Sequence, residues 1–123
     1  MYSILCREIF QDNQGTIPMA QIPNKIKNTI QKLLRALQEN NIPVKRVILF
    51  GSYARGNYTE WSDIDLVIVS DVFVGDRFDD KKKIRPITLN ISYDLDVLPY
   101  NTKDFTEDDP FVKEILETGV PII

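Results

Sequence analysis

The chain has 123 residues, 43% apolar and 27% charged, with a net charge of −3. That suits one compact domain with a single core, excludes disordered and fibrous classes, and argues against direct nucleic-acid binding, which rests on clustered cations neutralising phosphates. Histidine is absent, so His-based triads, His-type zinc sites and imidazole acid–base chemistry drop out, leaving carboxylates, hydroxyls, Lys, Arg or an oxygen-held metal.

Residues 1–22 read as an N-terminal appendage to a domain over 23–123: "SILCREIF" suits a short helix or strand, and "DNQGTIP" reads as loop. The beginning of the sequence lacks the basic and small-residue pattern of a signal peptide, and no apolar run approaches the roughly 20 residues that span a bilayer. Cys6 is the lone cysteine; it excludes an internal disulfide, suits a reducing cytoplasm and reads as a small buried apolar residue. From Asn24 the pattern clears. Ile26, Ile30, Leu33, Leu34 and Leu37 recur at helical spacing, Asn24 offers an N-cap, and "ENNIP" offers the stop.

"VKRVILF", residues 44–50, is a buried strand ended by Gly51. "GSYARGNYTEWS" is a loop or short helical turn whose Tyr53, Tyr58 and Trp61 read as packing against the sheet end, with stacking on a base as the alternative. "DIDLVIVS", residues 63–70, is nearly continuous in apolar residues and reads as a central strand. A helix over 79–85, halted by Pro86, follows. It contains the one basic run, "KKKIR", which reads as a solvated face. A third strand falls over 93–98. A last helix is capped by Asp109, has Pro110 at its first position and Gly119 just past its end, and "VPII" closes the sequence. The order of elements gives a small α/β or α+β domain with one sheet and helices packed on it.

Two aspartates open the central strand. Residues two apart on a strand share a face, so Asp63 and Asp65 project together, about 6 to 7 Å apart, while Ile64, Leu66 and Ile68 enter the core. Asp94 and Asp96 face together in the same way on the third strand, and if the strands neighbour each other three or four carboxylates meet at one sheet edge. Like charges about 4 Å apart repel by about 4 kcal/mol at an effective dielectric near 20, so such a cluster calls for protons or a cation. Oxygen donors without His or Cys point to Mg²⁺ or Mn²⁺. Gly51 lets the backbone approach an anion, the Ser52 hydroxyl adds a donor, and Arg55 either adds positive charge or ties down the turn. A phosphate site beside a metal site is the equipment of phosphoryl-type transfer.

"GSYARGNYTEWSDID" resembles the Gly-Ser, ten residues, Asp-x-Asp signature of the DNA polymerase β-like nucleotidyltransferase superfamily. In length the chain is similar to the minimal nucleotidyltransferase (MNT) proteins, with the likeness running from about residue 24 to residue 123. The resemblance implies a mixed-sheet nucleotidyltransferase fold in which Gly51, Ser52 and Arg55 bind the nucleotide. Asp63 and Asp65 would hold two Mg²⁺ ions, and Asp96, with Asp94 as its rival, would supply the third carboxylate and accept a proton. It further implies ATP as donor, AMP transfer to a hydroxyl of a partner protein, and pairing in trans with a helical HEPN toxin that the chain neutralises as antitoxin. Two other functions compete: a non-catalytic antitoxin that blocks its partner by occlusion, and an adenylyltransferase acting on a small molecule.

Overall fold

The computed structural model describes residues 22–123. The expected appendage, and Cys6 with it, lies outside them except for Ile22, which is buried in the core.

Helix α1 (Asn24–Glu39) turns Ile26, Ile30, Leu33, Leu34 and Leu37 inward, as their spacing requires. Its cap is Pro23 rather than Asn24: the Pro23 carbonyl accepts from the amides of Ile26 and Lys27 at 2.9 and 3.1 Å, so Asn24 is already helical. Strand β1 (Arg46–Phe50) is followed by the single turn of helix α2 (Ser52–Arg55), then by β2 (Ile64–Val69). Helix α3 (Arg77–Ile91) crosses over to β3 (Leu95–Tyr100), and α4 (Pro110–Thr118) leads into the short strand β4 (Val120–Pro121).

The four strands lie in the order β3-β2-β1-β4. β1 runs antiparallel to both β2 and β4, whereas β2 and β3 are parallel, which requires the long crossover that α3 supplies. Both faces of the sheet are covered. Val47, Leu49, Leu66, Ile68 and Val97 pack toward α1 and α3, and on the other face Ile48, Val67, Val69 and Tyr100 pack with Val112 and Ile115 of α4. A strand buried on both sides reads as a continuous apolar run, and "LVIV", residues 66–69, is one.

Several expected boundaries move. Pro86 does not stop α3; it sits inside the helix, exposed. Nearby, the Thr88 hydroxyl donates to the Arg85 carbonyl at 3.1 Å, and buried Ile84 and Thr88 hold the two halves on the same surface. The helix begins at Arg77 because Asp76 accepts from the amides of Phe78 and Asp79. Buried Asp80 accepts from Val74 and Gly75 at 2.9 and 3.0 Å and pins the preceding loop. The third strand starts at Leu95, because Tyr93 and Asp94 form a turn in which the Asp94 amide donates to the Ser92 hydroxyl. The closing "VPII" contributes a strand too short to show any periodicity. The last helix is as expected: Asp109 accepts from Phe111, Pro110 is its first residue and Gly119 follows its end.

Candidate active site

The end of the sheet where β1 leaves the core gathers the polar residues. Register sets Phe50 opposite Asp65 and Asp65 opposite Asp96, so the two carboxylates belong to neighbouring strands and one sheet face. Gly51 follows Phe50 with φ of +74°, a backbone region that side chains disfavour. A Cβ there would stand 2.2 Å from Oδ2 of Asp65 and 3.1 Å from its Cγ. Glycine is therefore needed twice, for the bend and for room to seat the Asp65 carboxylate against the backbone. The amides of Ala54 and Arg55 both return to the Gly51 carbonyl at 3.1 Å, folding the chain into a tight turn with Ser52 at its head.

Asp65 is half-buried, while Asp63 and Asp96 are exposed. Burial, then the like charges of Asp96 and Asp63 and a hydrogen bond with Asp96, push the Asp65 carboxyl up to about 6, against an opposing pull from Arg55. The Asp65 carboxyl therefore keeps its proton in mildly acidic solution. Arg55 acts on Asp65 through its charge.

The expected cluster of three or four carboxylates is smaller than its sequence spacing suggests. Among the described residues no group of three His, Cys, Asp or Glu side chains is gathered to hold an ion. Asp65 and Asp96 are the pair in contact, and Asp63, just before β2, adds its charge. Asp94 lies on the turn before β3, where it lines a pocket of about 390 Å³ with Tyr53, Tyr58, Lys25 and Glu60. Between Asp94 and Asp96, register therefore sets Asp96 beside Asp65. The Asp65–Asp96 pair offers carboxylate oxygens, the donor type that suits a hard divalent cation, and a cation bound there would relieve their mutual repulsion.

The aromatic residues divide. Tyr53 is buried and stacks on Tyr58 with ring centroids 4.6 Å apart, so these two pack as expected. Burial, then Asp94 and Tyr58, raise the Tyr53 hydroxyl above its ordinary value. Trp61 does not pack as expected: it is 84% exposed. Lys81 and Arg85, from the run read as a solvated face, are exposed as expected and also line a groove with Asp96; their spacing of four on a helix is what sets them on one wall.

Comparison with known proteins gives the family and the fold. The family model described as "Nucleotidyltransferase domain" matches residues 30–122. The chain belongs to the nucleotidyltransferase domain family. The matched span contains Gly51, Ser52, Asp63, Asp65, Asp94 and Asp96. A protein of Methanocaldococcus jannaschii named "Putative protein adenylyltransferase" is 72% identical over 29 residues, which make up 24% of this chain and 29% of that protein. A second protein of that name and organism is 39% identical over 80 residues, 63% of this chain and 77% of that protein. The chain thus spans under a third of the first relative and about three quarters of the second. A crystal structure described as "a putative nucleotidyltransferase from Sulfolobus solfataricus" superposes with a TM-score of 0.52 at 23% identity, covering 80% of this chain and 86% of that one. The α+β architecture with its mixed sheet is thus the nucleotidyltransferase fold.

Proposed function

We propose that the protein transfers a nucleoside monophosphate, AMP from ATP, to a hydroxyl of a partner protein. The observation that carries this reading is the register of Asp65 opposite Asp96, with Gly51 and Ser52 beside Asp65. Gly51 lets the nucleotide's phosphates approach the backbone, and the Ser52 hydroxyl and the first amides of α2 donate to them. Arg55 offsets their charge. Asp63, Asp65 and Asp96 would hold divalent cations, Mg²⁺ by preference, which when bound neutralise the phosphates and the charge that develops on the leaving group.

Asp96, the exposed member of the pair, takes the proton of the accepting hydroxyl. The freed oxygen bonds to the α-phosphorus, the bond from that phosphorus to the bridging oxygen breaks, and pyrophosphate leaves. The names of the relatives support a protein acceptor, and the MNT resemblance supports a HEPN toxin in trans, with this chain as cytoplasmic antitoxin. No helix among the described residues is long and apolar enough to cross a membrane.

Incubation with α-labelled ATP, Mg²⁺ and host lysate tests the reading, with Asp63→Asn/Asp65→Asn alongside. A discrete labelled protein band with wild type alone is expected. A band of equal strength with the variant, or wild-type protein that binds no Mg-ATP, overturns it.

A further inference from the structure

We propose that the groove between α3 and β3 docks the acceptor, and that the acceptor enters it as an acidic protein segment. This inference rests on the nucleotidyl-transfer reading, and it accounts for the "KKKIR" run that the proposed chemistry leaves unused. The groove is lined by Lys81, Arg85, Leu89, Tyr93, Leu95 and Asp96 among others. Lys81 and Arg85 stand one helical turn apart, so both cations present the same wall. Asp96 stands on the β3 side and is the exposed member of the carboxylate pair. Alternation along β3 turns the Asp96 side chain to the sheet face it shares with Asp65, so a chain lying in the groove reaches the group that receives the hydroxyl proton over the outer rim of β3.

The arrangement of charge selects the occupant. Anionic groups are drawn to Lys81 and Arg85 and held away from Asp96, so the occupant needs negative charge toward α3 and a neutral, hydroxyl-bearing stretch at Asp96. A protein segment with a Ser, Thr or Tyr among acidic residues has that pattern. A nucleic-acid strand carries a phosphate at every step and lacks it, and it also meets a chain of net charge −3. Leu89, 39% exposed, and Tyr93, 86% exposed, supply the apolar anchor that a protein partner uses. Lys82 and Lys83 are exposed on the same helix but do not line the groove.

The test measures binding by fluorescence anisotropy. The probes are a synthetic peptide with one tyrosine flanked by glutamates, the same peptide with lysines for glutamates, and an oligothymidylate. The acidic peptide should bind at least about tenfold more tightly than the other two, and Lys81→Glu/Arg85→Glu should abolish that preference. Lys82→Glu/Lys83→Glu should change affinity by no more than about twofold at physiological salt. All four positions are exposed, and circular dichroism checks that both variants are folded. Mg-ATP affinity, measured separately, should be the same in wild type and both variants.

Oligothymidylate binding as tight as the acidic peptide's would overturn the proposal in favour of a nucleic-acid groove. Loss of Mg-ATP binding in Lys81→Glu/Arg85→Glu would assign the cations to the triphosphate instead. No peptide binding, or binding indifferent to that variant, overturns it outright. Failure of the underlying reading appears differently, as wild-type protein that does not bind Mg-ATP.

Discussion

Strand β2 has an aspartate near each end, and the two are treated in opposite ways. Asp71, just past its C-terminal end, accepts from the Thr102 hydroxyl and pairs with Lys45 at 2.9 Å. The hydrogen bonds from Thr102 and Lys45 hold its carboxyl below the usual range. Asp65, at the other end, is partly buried among its own kind, and its carboxyl is pushed up to about 6. Two chemically identical groups separated by one strand thus differ in whether the fold supplies their counter-charge. A carboxylate compensated from within is part of the scaffold, whereas one left crowded by like charge is held for something that arrives from outside.

The largest effect expected from that contrast is on transfer. Asp65→Asn or Asp96→Asn should lower nucleotidyl incorporation by about 10²–10⁴-fold, and Asp71→Asn should leave it unchanged, read as label transferred per minute. Equal losses at both ends of β2 would break the distinction.

Next comes Gly51, whose missing side chain leaves room for Asp65. Gly51→Ala combines a disfavoured φ with a direct clash and should cost about 2–3 kcal/mol in urea unfolding. The double variant Gly51→Ala/Asp65→Ser should recover part of that loss, because the shorter side chain makes space.

Smaller still is the pH dependence in metal-free buffer. Asp65 has a raised value in the folded state, so its contribution to stability is full below 3.8 and is lost as pH rises to about 6. After discounting for solvent screening the loss is roughly 1 kcal/mol. Asp65→Asn should flatten this slope, and Mg²⁺ should reduce the wild-type loss above pH 6. A wild-type curve that rises through this window and is unchanged in Asp65→Asn would contradict the crowding. Asp71 has the opposite sign, stabilising above the ordinary carboxylate value and losing that contribution as pH falls. Being exposed, it should matter least: the melting midpoint of Asp71→Asn should stay within about 2 °C of wild type.

How much of this could be read beforehand depended on how local each signal is. Helices α1 and α4 were legible because apolar spacing and, for α4, the Asp109, Pro110 and Gly119 punctuation act within a few residues. The closeness of Gly51, Asp63 and Asp65 at one end of the sheet was legible for the same reason, falling in one short stretch. Asp94 and Asp96 could not be separated, because the choice turns on where the Ser92–Asp94 turn ends and β3 takes up its register with β2. Pro86 misled because the rule that proline ends helices weighs one backbone position, while Ile84 and Thr88 on either side are held by tertiary packing. The groove position of Lys81 and Arg85 depends on how α3 lies against β3, which no local pattern states.

The parallel pairing of β2 with β3 also orders events in time. Asp65 and Asp96 face each other only once the chain has traversed α3 and returned, and closing so long a loop carries an entropic cost that local contacts do not. A chain still emerging during synthesis can carry Gly51, Ser52, Asp63 and Asp65 without the second member of the pair. Under the proposed mechanism, competence for transfer therefore arrives late, with the completed crossover, and a partly folded chain that already displays the Gly-Ser turn would have nowhere to send the acceptor's proton.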